Sequence, residues 1–180
     1  MRNFSQKEDN NAYSCRFLVF HRAGAVLDAI DRKLLNLMQA RPDMSVIELS
    51  ERVGLSHSPC WRRIKRLEAD GVIRERAVLL NPVALGLTVN VFAHLKLRQH
   101  DESTLEAFES AARDRPEIVE CFSMSGDSDY ILRIVIGNIE DYEKFLKKVL
   151  LHLPGVASVN SSFALKCVKL TTNLPLSDGL

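Results

Sequence analysis

Apolar positions along this chain change their period near residue 82, and that change divides the molecule. Before it they recur at three- and four-residue steps. Leu27, Ile30, Leu34 and Leu37 predict an amphipathic helix, with Asp28 as its N-cap and Asp31 three residues on. Ser45-Val-Ile-Glu48 reads as a capping box: the serine accepts from the Glu48 amide and the glutamate side chain reaches back. Leu49 and Val53 give that short helix its core side, and Gly54 supplies a C-cap. A third helix starts around Pro59, whose missing N–H costs nothing in a first turn, with Ser56 or Ser58 as cap. Cys60, Ile64 and Leu67 form its buried stripe. At about 100° per residue, Ser58, Arg62, Lys65 and Arg66 project from the opposite side. Gly71 ends the helix. Residues 72–73 and 77–80 then predict two short strands around Arg74-Glu75-Arg76, a small wing.

A short helix, a brief turn containing Gly and a second helix form the layout of a helix-turn-helix, whose second member enters the major groove. A plain three-helix bundle with a solvated basic face is the other reading of the same pattern. Asn81-Pro82-Val-Ala-Leu-Gly86 brackets a connector, here bounded as a hinge over residues 81–87. Beyond it the period becomes two. Val89, Val91, Ala93, Leu95 and Leu97 alternate with polar or large neighbours as in a strand with one buried face. Ser103-Thr-Leu-Glu106 predicts a second capping box, followed by Leu105, Phe108 and Ala111 at helical spacing. Residues 119–125 read as a strand ending in the turn Gly126-Asp-Ser-Asp129, and residues 130–136 as a β-branched return strand. Asn138 caps a helix with Tyr142, Phe145, Val149 and Leu153 inside, stopped by Pro154-Gly155, and residues 156–168 read as the last strand. The order βαββαβ is ferredoxin-like, with helices on one face of a four-stranded antiparallel sheet. The fold class is therefore two-domain α+β: a winged helix-turn-helix over 27–80 and a βαββαβ domain over 88–180. The uncovered sheet face reads as rather apolar, which favours pairing with another subunit.

Composition changes the picture only where charge is uneven. The net charge is +1, but residues 27–80 carry 10 Lys+Arg against 8 Asp+Glu, a net of +2. Residues 81–180 carry 10 against 13, a net of −3. Four cations and no carboxylate lie between Ser56 and Arg66, so the third helix offers a polyanion a positive face, and double-stranded DNA is the expected partner. The candidate DNA-binding residues are Ser56, His57, Ser58, Arg62, Arg63, Lys65 and Arg66. Arg62 and Arg66 are the choices for base or phosphate contact, and Ser58 and Lys65 for phosphate. Trp61 sits at the edge of the buried stripe and reads as packing; Cys60 reads as a small core residue. Strand-face polarity accounts for His94 and His100. Four cysteines without CxxC spacing or clustered histidines argue against a disulfide framework or a metal site, and suit the cytoplasm. No Ser-His-Asp grouping or glycine-rich phosphate loop points to an enzyme or a cofactor. No apolar run approaches the roughly 18 residues of a membrane span. Residues 1–26 read as a polar, disordered leader whose Phe17-Leu-Val-Phe20 is too short for a signal-peptide core, with translation expected to begin at Val26.

Six motifs, in order, carry a resemblance: Leu27-Asp-Ala-Ile-Asp-Arg32, Gly54-Leu-Ser-His-Ser-Pro-Cys60, Arg66-Leu-Glu-Ala-Asp-Gly71-Val-Ile, Leu79-Leu-Asn-Pro82, Ser125-Gly-Asp-Ser-Asp-Tyr130 and Leu153-Pro-Gly155. From Leu27 to about Leu176 the chain resembles the Lrp/AsnC, or feast/famine, family. The resemblance implies a DNA-binding head hinged to an amino-acid-sensing domain that dimerises and assembles further, into tetramers, octamers or hexadecamers. Lys169-Leu-Thr-Thr-Asn-Leu-Pro-Leu176 is similar to members that govern catabolism or detoxification of a single amino acid. Carried over by position, the effector site involves Gly126, Asp127, Asp129 and Tyr130 in and after the turn. Val91, Ser123, Met124, Ser162, Phe163 and Ala164 are implicated nearby. Asp127 or Asp129 would accept from an amino acid's ammonium, and amides around Gly126 would donate to its carboxylate. Ser123 and Ser162 stand where leucine-binding members carry larger side chains, which implies a smaller or more polar effector. Without the resemblance, the same turn reads as an ordinary hairpin. Some relatives of this fold decarboxylate sirohaem with histidines and basic residues in the effector-domain cleft. The intact Arg62, Lys65 and Arg66 favour regulation over that enzyme. A stand-alone effector or scaffold is disfavoured by the same basic head.

Overall fold

A computed structural model describes residues 26–176, so the expectations for residues 1–25 lie outside the described residues. Two compact units form. Of the described residues, one takes 26–77 together with 172–176; the other takes Val78–Thr171.

The first unit is built on three helices: α1 (Ala29–Ala40), α2 (Val46–Val53) and α3 (His57–Ala69). Asp28 caps α1 by accepting from the Asp31 amide at 2.7 Å, and the Asp31 side chain accepts from the Asp28 amide at 3.3 Å. Ser45 and Glu48 close the expected reciprocal pair at α2, and Gly54 ends that helix at φ 73°. The expected stripes bury Leu34, Leu49, Val53, Cys60, Ile64 and Leu67, joined by Leu35 and Met44. One cap differs. Ser56 occupies the N-cap of α3 but makes no side-chain capping bond. A cap oxygen accepts from the second or third helical amide, and the third position here is Pro59, which has no N–H to give.

The wing is a correction. Residues 72–80 form no strand. Val72 and Ile73 instead fold back on the helical core, the Ile73 amide donating to the Leu67 carbonyl at 3.0 Å. Val78, Leu79 and Leu80 stay exposed. An isolated two-stranded ribbon is marginal in water unless one face packs, and here that packing is spent on the helices. Residues 172–176 belong to this unit: Leu174 exchanges hydrogen bonds with the Gln39 side chain, and Leu176 packs on the helical core.

In the second unit a 3₁₀ turn (Val83–Leu85) precedes β1 (Val89–Leu97), α4 (Glu102–Arg113), β2 (Ile118–Ser123), β3 (Tyr130–Ile136), α5 (Ile139–Lys148) and β4 (Val156–Phe163). The sheet order β2-β3-β1-β4 is antiparallel throughout. Alternation on β1 is as read, and Val91, Ala93 and Leu95 meet Leu132 and Ile134 of β3 beneath Phe108, Tyr142 and Phe145. Both helices therefore cover one sheet face, and each large side chain buried there contributes about 1.5–3 kcal/mol.

Three further readings need correction. Asp101, not Ser103, caps α4, accepting from the Thr104 amide and from both the Ser103 and Thr104 hydroxyls. The earlier carboxylate outcompetes a serine hydroxyl for the first-turn amides, and those three bonds hold its pKa down at about 2. The last strand ends at Phe163, five residues early: its final pair on β1 is Val91 with Phe163, followed only by the Ala164 amide donating to the Asn90 carbonyl. Leu165, Val168 and Leu170 are then exposed. The open sheet face is mixed rather than apolar. Phe92, Phe122, Ile131 and Val135 share it with His94, Lys96, Asn160 and an Arg133–Glu120 ion pair at 2.8 Å.

Candidate nucleic-acid interface and effector turn

The helix α3 hangs its cations on two different sides. Ile64 and Leu67 fix the inner side; about 70° and 130° away from it, Arg63 and Arg66 reach toward α1. There the carboxylate of Asp31, only 1 % exposed, accepts from Arg63 Nη1 at 2.8 Å and from Arg66 Nη2 at 2.5 Å. Arg63 also reaches Asp28 at 2.6 Å. The paired carboxylates push the Arg63 guanidinium pKa further up, Asp28 first and then Asp31. The Asp31 amide, with Arg63 behind it, pulls the Asp28 carboxyl down. This clamp ties α3 to α1. Arg66, a first choice for DNA contact in the sequence, and Arg63, a further candidate, thus each have a guanidinium bonded to Asp31, while the Arg66 side chain stays 48 % exposed.

On the outer side His57, Ser58, Trp61 and Arg62 line a shallow concavity of about 360 Å³. Arg62 makes no ion pair among the described residues, whereas Lys65 leans onto Glu68 at 2.7 Å. Ser56 is exposed at the helix start. The available cationic face is thus Arg62 first and Lys65 second. Trp61 is another correction, since it is 47 % exposed rather than packed. Its position at about 100° from Cys60 puts it beyond the three-residue stripe, on the flank that α1 does not cover.

The candidate effector residues do not come together within one chain. Tyr130 pairs with Leu95 near the end of β1, and Phe163 pairs with Val91, four residues away. At about 3.3 Å per residue that is roughly 13 Å. Beside Tyr130 lies the turn. Gly126 sits at φ 125°, the Met124 amide donates to the Asp129 carbonyl, and the Asp129 amide donates to the Leu95 carbonyl. Both Asp129 carboxylate oxygens are taken, one by the Leu97 amide at 2.7 Å and one by His100 Nε2 at 2.9 Å. These bonds, the Leu97 amide first, hold its pKa below the usual value. Asp127 is exposed beside it, so it is the acceptor left open to an ammonium group. Ser123 and Met124 are exposed near the same turn.

Val91 and Tyr130 are core residues, contrary to a lining role. Val91 is fully buried, and Tyr130 stacks on Phe108 at 4.4 Å and donates to Glu109 at 2.8 Å. At the far end Phe163 packs edge-on against Tyr142, Ser162 faces the open side of the sheet, and the Ala164 amide donates to the Asn90 carbonyl. A cavity of about 550 Å³ lies elsewhere in this unit, between Arg98, Ser103, Thr104 and Pro154-Gly155, and holds none of the expected residues. Among the described residues no three His, Cys, Asp or Glu side chains gather as a metal set. No described helix is long and apolar enough to cross a membrane.

Comparison with known proteins agrees with this two-part organisation. The family model of a winged helix-turn-helix DNA-binding domain matches residues 27–74, and that of the Lrp/AsnC ligand binding domain matches residues 90–174. The DNA-binding transcriptional activator DecR of Escherichia coli K12 is 37 % identical over 151 residues, 84 % of this chain and 99 % of that one. The leucine-responsive regulatory protein of the same organism is 39 % identical over 153 residues, 85 % and 93 % of the two chains. A transcriptional regulator of Neisseria meningitidis, solved with L-methionine, superposes with a TM-score of 0.80 at 39 % identity, covering 83 % of this chain and 97 % of its own. The protein belongs to the Lrp/AsnC family.

Proposed function

We propose that the chain is a homodimeric, sequence-specific DNA-binding transcriptional regulator whose affinity for its operator is set by a small amino acid. The observation that carries this reading is the outer face of α3: Ser58, Arg62 and Lys65 point away from the core while Asp31 fixes the helix from behind. Two such helices, held by paired second domains, would meet successive major-groove faces about 34–36 Å apart. Relatives named as leucine-responsive and as bound to L-methionine support an amino acid effector, as does the open Asp127 beside the Gly126 amides. The Asp127 turn and the Ser162–Ala164 end lie at opposite ends of β1. We therefore assign the effector a site completed by a second copy of the chain, in an assembly larger than the dimer such as a tetramer or octamer. The effector acts only through its differential affinity for the states it connects.

The test couples two measurements on the full chain. A melting screen against the twenty amino acids identifies the ligand, because a compound that binds only the folded state raises apparent stability by mass action. Fluorescence anisotropy on DNA from upstream of the gene is then titrated with and without it. One amino acid should raise the melting temperature, change DNA affinity, and lose both effects in Asp127→Ala. If no amino acid shifts either readout, the effector half of the reading is wrong. If wild-type protein binds operator and random duplex alike, the DNA half is wrong.

A further inference from the structure

The geometry points to Trp61 as a base-reading residue of the recognition helix, its indole contacting the 5-methyl group of a thymine in the major groove. The inference rests on the DNA-binding reading and deepens it. Trp61 is the chain's only tryptophan, and tryptophan is among the more buried side chains on average. Here it stands 47 % exposed on α3, among the described residues the one exposed large apolar side chain of that helix. It shares its concavity with His57, Ser58 and Arg62, all within the first two turns. Those turns are the part of a recognition helix that meets base edges. On the opposite flank Arg63 and Arg66 each bond to Asp31, which holds their guanidiniums toward α1. The face left for the groove is therefore the one that carries the indole.

The chemistry selects the base. Arg62 can read guanine through two acceptors, and the Ser58 hydroxyl can bond to several edges. Thymine's distinguishing mark in the major groove is a methyl group, which no hydrogen-bonding side chain senses. A broad apolar plane senses it by excluding water. A phosphate role for Trp61 fits poorly, since an uncharged indole with one N–H releases no counterion.

The experiment uses the full-length protein and an operator selected by it from a pool of random duplexes. Each thymine of the operator is replaced in turn by uracil, which removes only the methyl group. One position in each half-site should weaken wild-type binding about fourfold, as expected for one buried methyl. Trp61→Ala should bind the unmodified operator about tenfold more weakly, in line with truncating a tryptophan at an interface centre. Its salt dependence should be unchanged, and it should no longer distinguish uracil from thymine at that position. Trp61→Phe, which keeps an apolar ring, should retain part of the discrimination and serves if the alanine variant melts early. Uracil sensitivity that survives in Trp61→Ala, or its absence in the wild type, overturns the assignment while leaving DNA binding intact. So does a fall in the salt slope of about one. A wild-type protein that enriches no sequence from the pool overturns the DNA-binding reading and this assignment with it.

Discussion

Removing Arg63 and Arg66 together should destabilise the first unit by more than the two single losses added. Asp31 is 1 % exposed, while the side chains of Arg63 and Arg66 are 26 % and 48 % exposed. Either arginine alone can return to water, so Arg66→Ala costs one charge-assisted bond discounted for exposure, about 1 kcal/mol. Arg63→Ala loses contacts to Asp28 as well and costs about 1–2 kcal/mol. In each single variant the remaining arginine still satisfies Asp31. The double variant leaves a buried carboxylate with only the long Asp28 amide contact. Breaking a buried pair from one side costs about 3–5 kcal/mol. The excess over additivity should therefore be about 1–2 kcal/mol. Urea unfolding followed by Trp61 emission reports this unit, because the chain's single tryptophan lies in α3. Two single losses that sum to the double within about 0.5 kcal/mol would show the sites to be independent. Asp31 would then not be the shared anchor.

Two other outcomes follow from local geometry. Gly155 sits at φ 73°, and a Cβ there would lie 2.4 Å from the Thr104 methyl; Gly155→Ala should cost about 2–4 kcal/mol from backbone strain and overpacking, read as a drop in the urea midpoint of the second unit, and a loss below about 1 kcal/mol contradicts it. The depressed carboxyl of Asp129 binds its proton less readily folded than unfolded, so its stabilisation of the 124–129 turn is complete above its ordinary value of 3.8 and lost as pH falls through the lower folded value. Exchange of the Leu97 amide should accelerate, relative to neighbouring strand amides, only in that acid range, and Asp129→Asn should abolish the pH-dependent step.

Much of the fold was legible because single-chain periodicity and caps decided it. Asp28 with Asp31, Ser45 with Glu48, and the alternation of β1 each encode an element within a few residues, and each formed where read; Asn138 caps α5 as read, but that helix stops at Lys148, leaving Val149 and Leu153 outside it. The failures share a cause: a competing partner, either distant in sequence or two residues away. The wing needed a packed face that Val72 and Ile73 gave to the helices. Ser103 lost its capping role to Asp101, two residues earlier. On α3 the surroundings of two residues differ from what helical angle alone expects. Arg66 lies on the outward arc by angle alone, but a buried carboxylate 35 residues away draws it aside. Trp61 reads as packing from its place at the edge of the buried stripe, and only the placement of α1 on the other flank shows it exposed. The effector residues were carried by resemblance, and their division between two ends of β1 depends on strand register. No local pattern expresses that register.

The outer face of α3, and not its α1-facing flank, is the surface proposed to meet DNA. Operator affinity measured against salt concentration for wild type, Arg62→Ala and Arg66→Ala tests it directly. Each phosphate contact contributes about 0.9 to the slope of log affinity on log salt. Arg62→Ala should lower the slope by about that amount if it contacts phosphate. If it reads a base, it should instead lose about 1–3 kcal/mol at one operator position. Arg66→Ala should leave the slope at the wild-type value. A slope that falls for Arg66→Ala, with affinity and slope both unchanged for Arg62→Ala, would contradict the account.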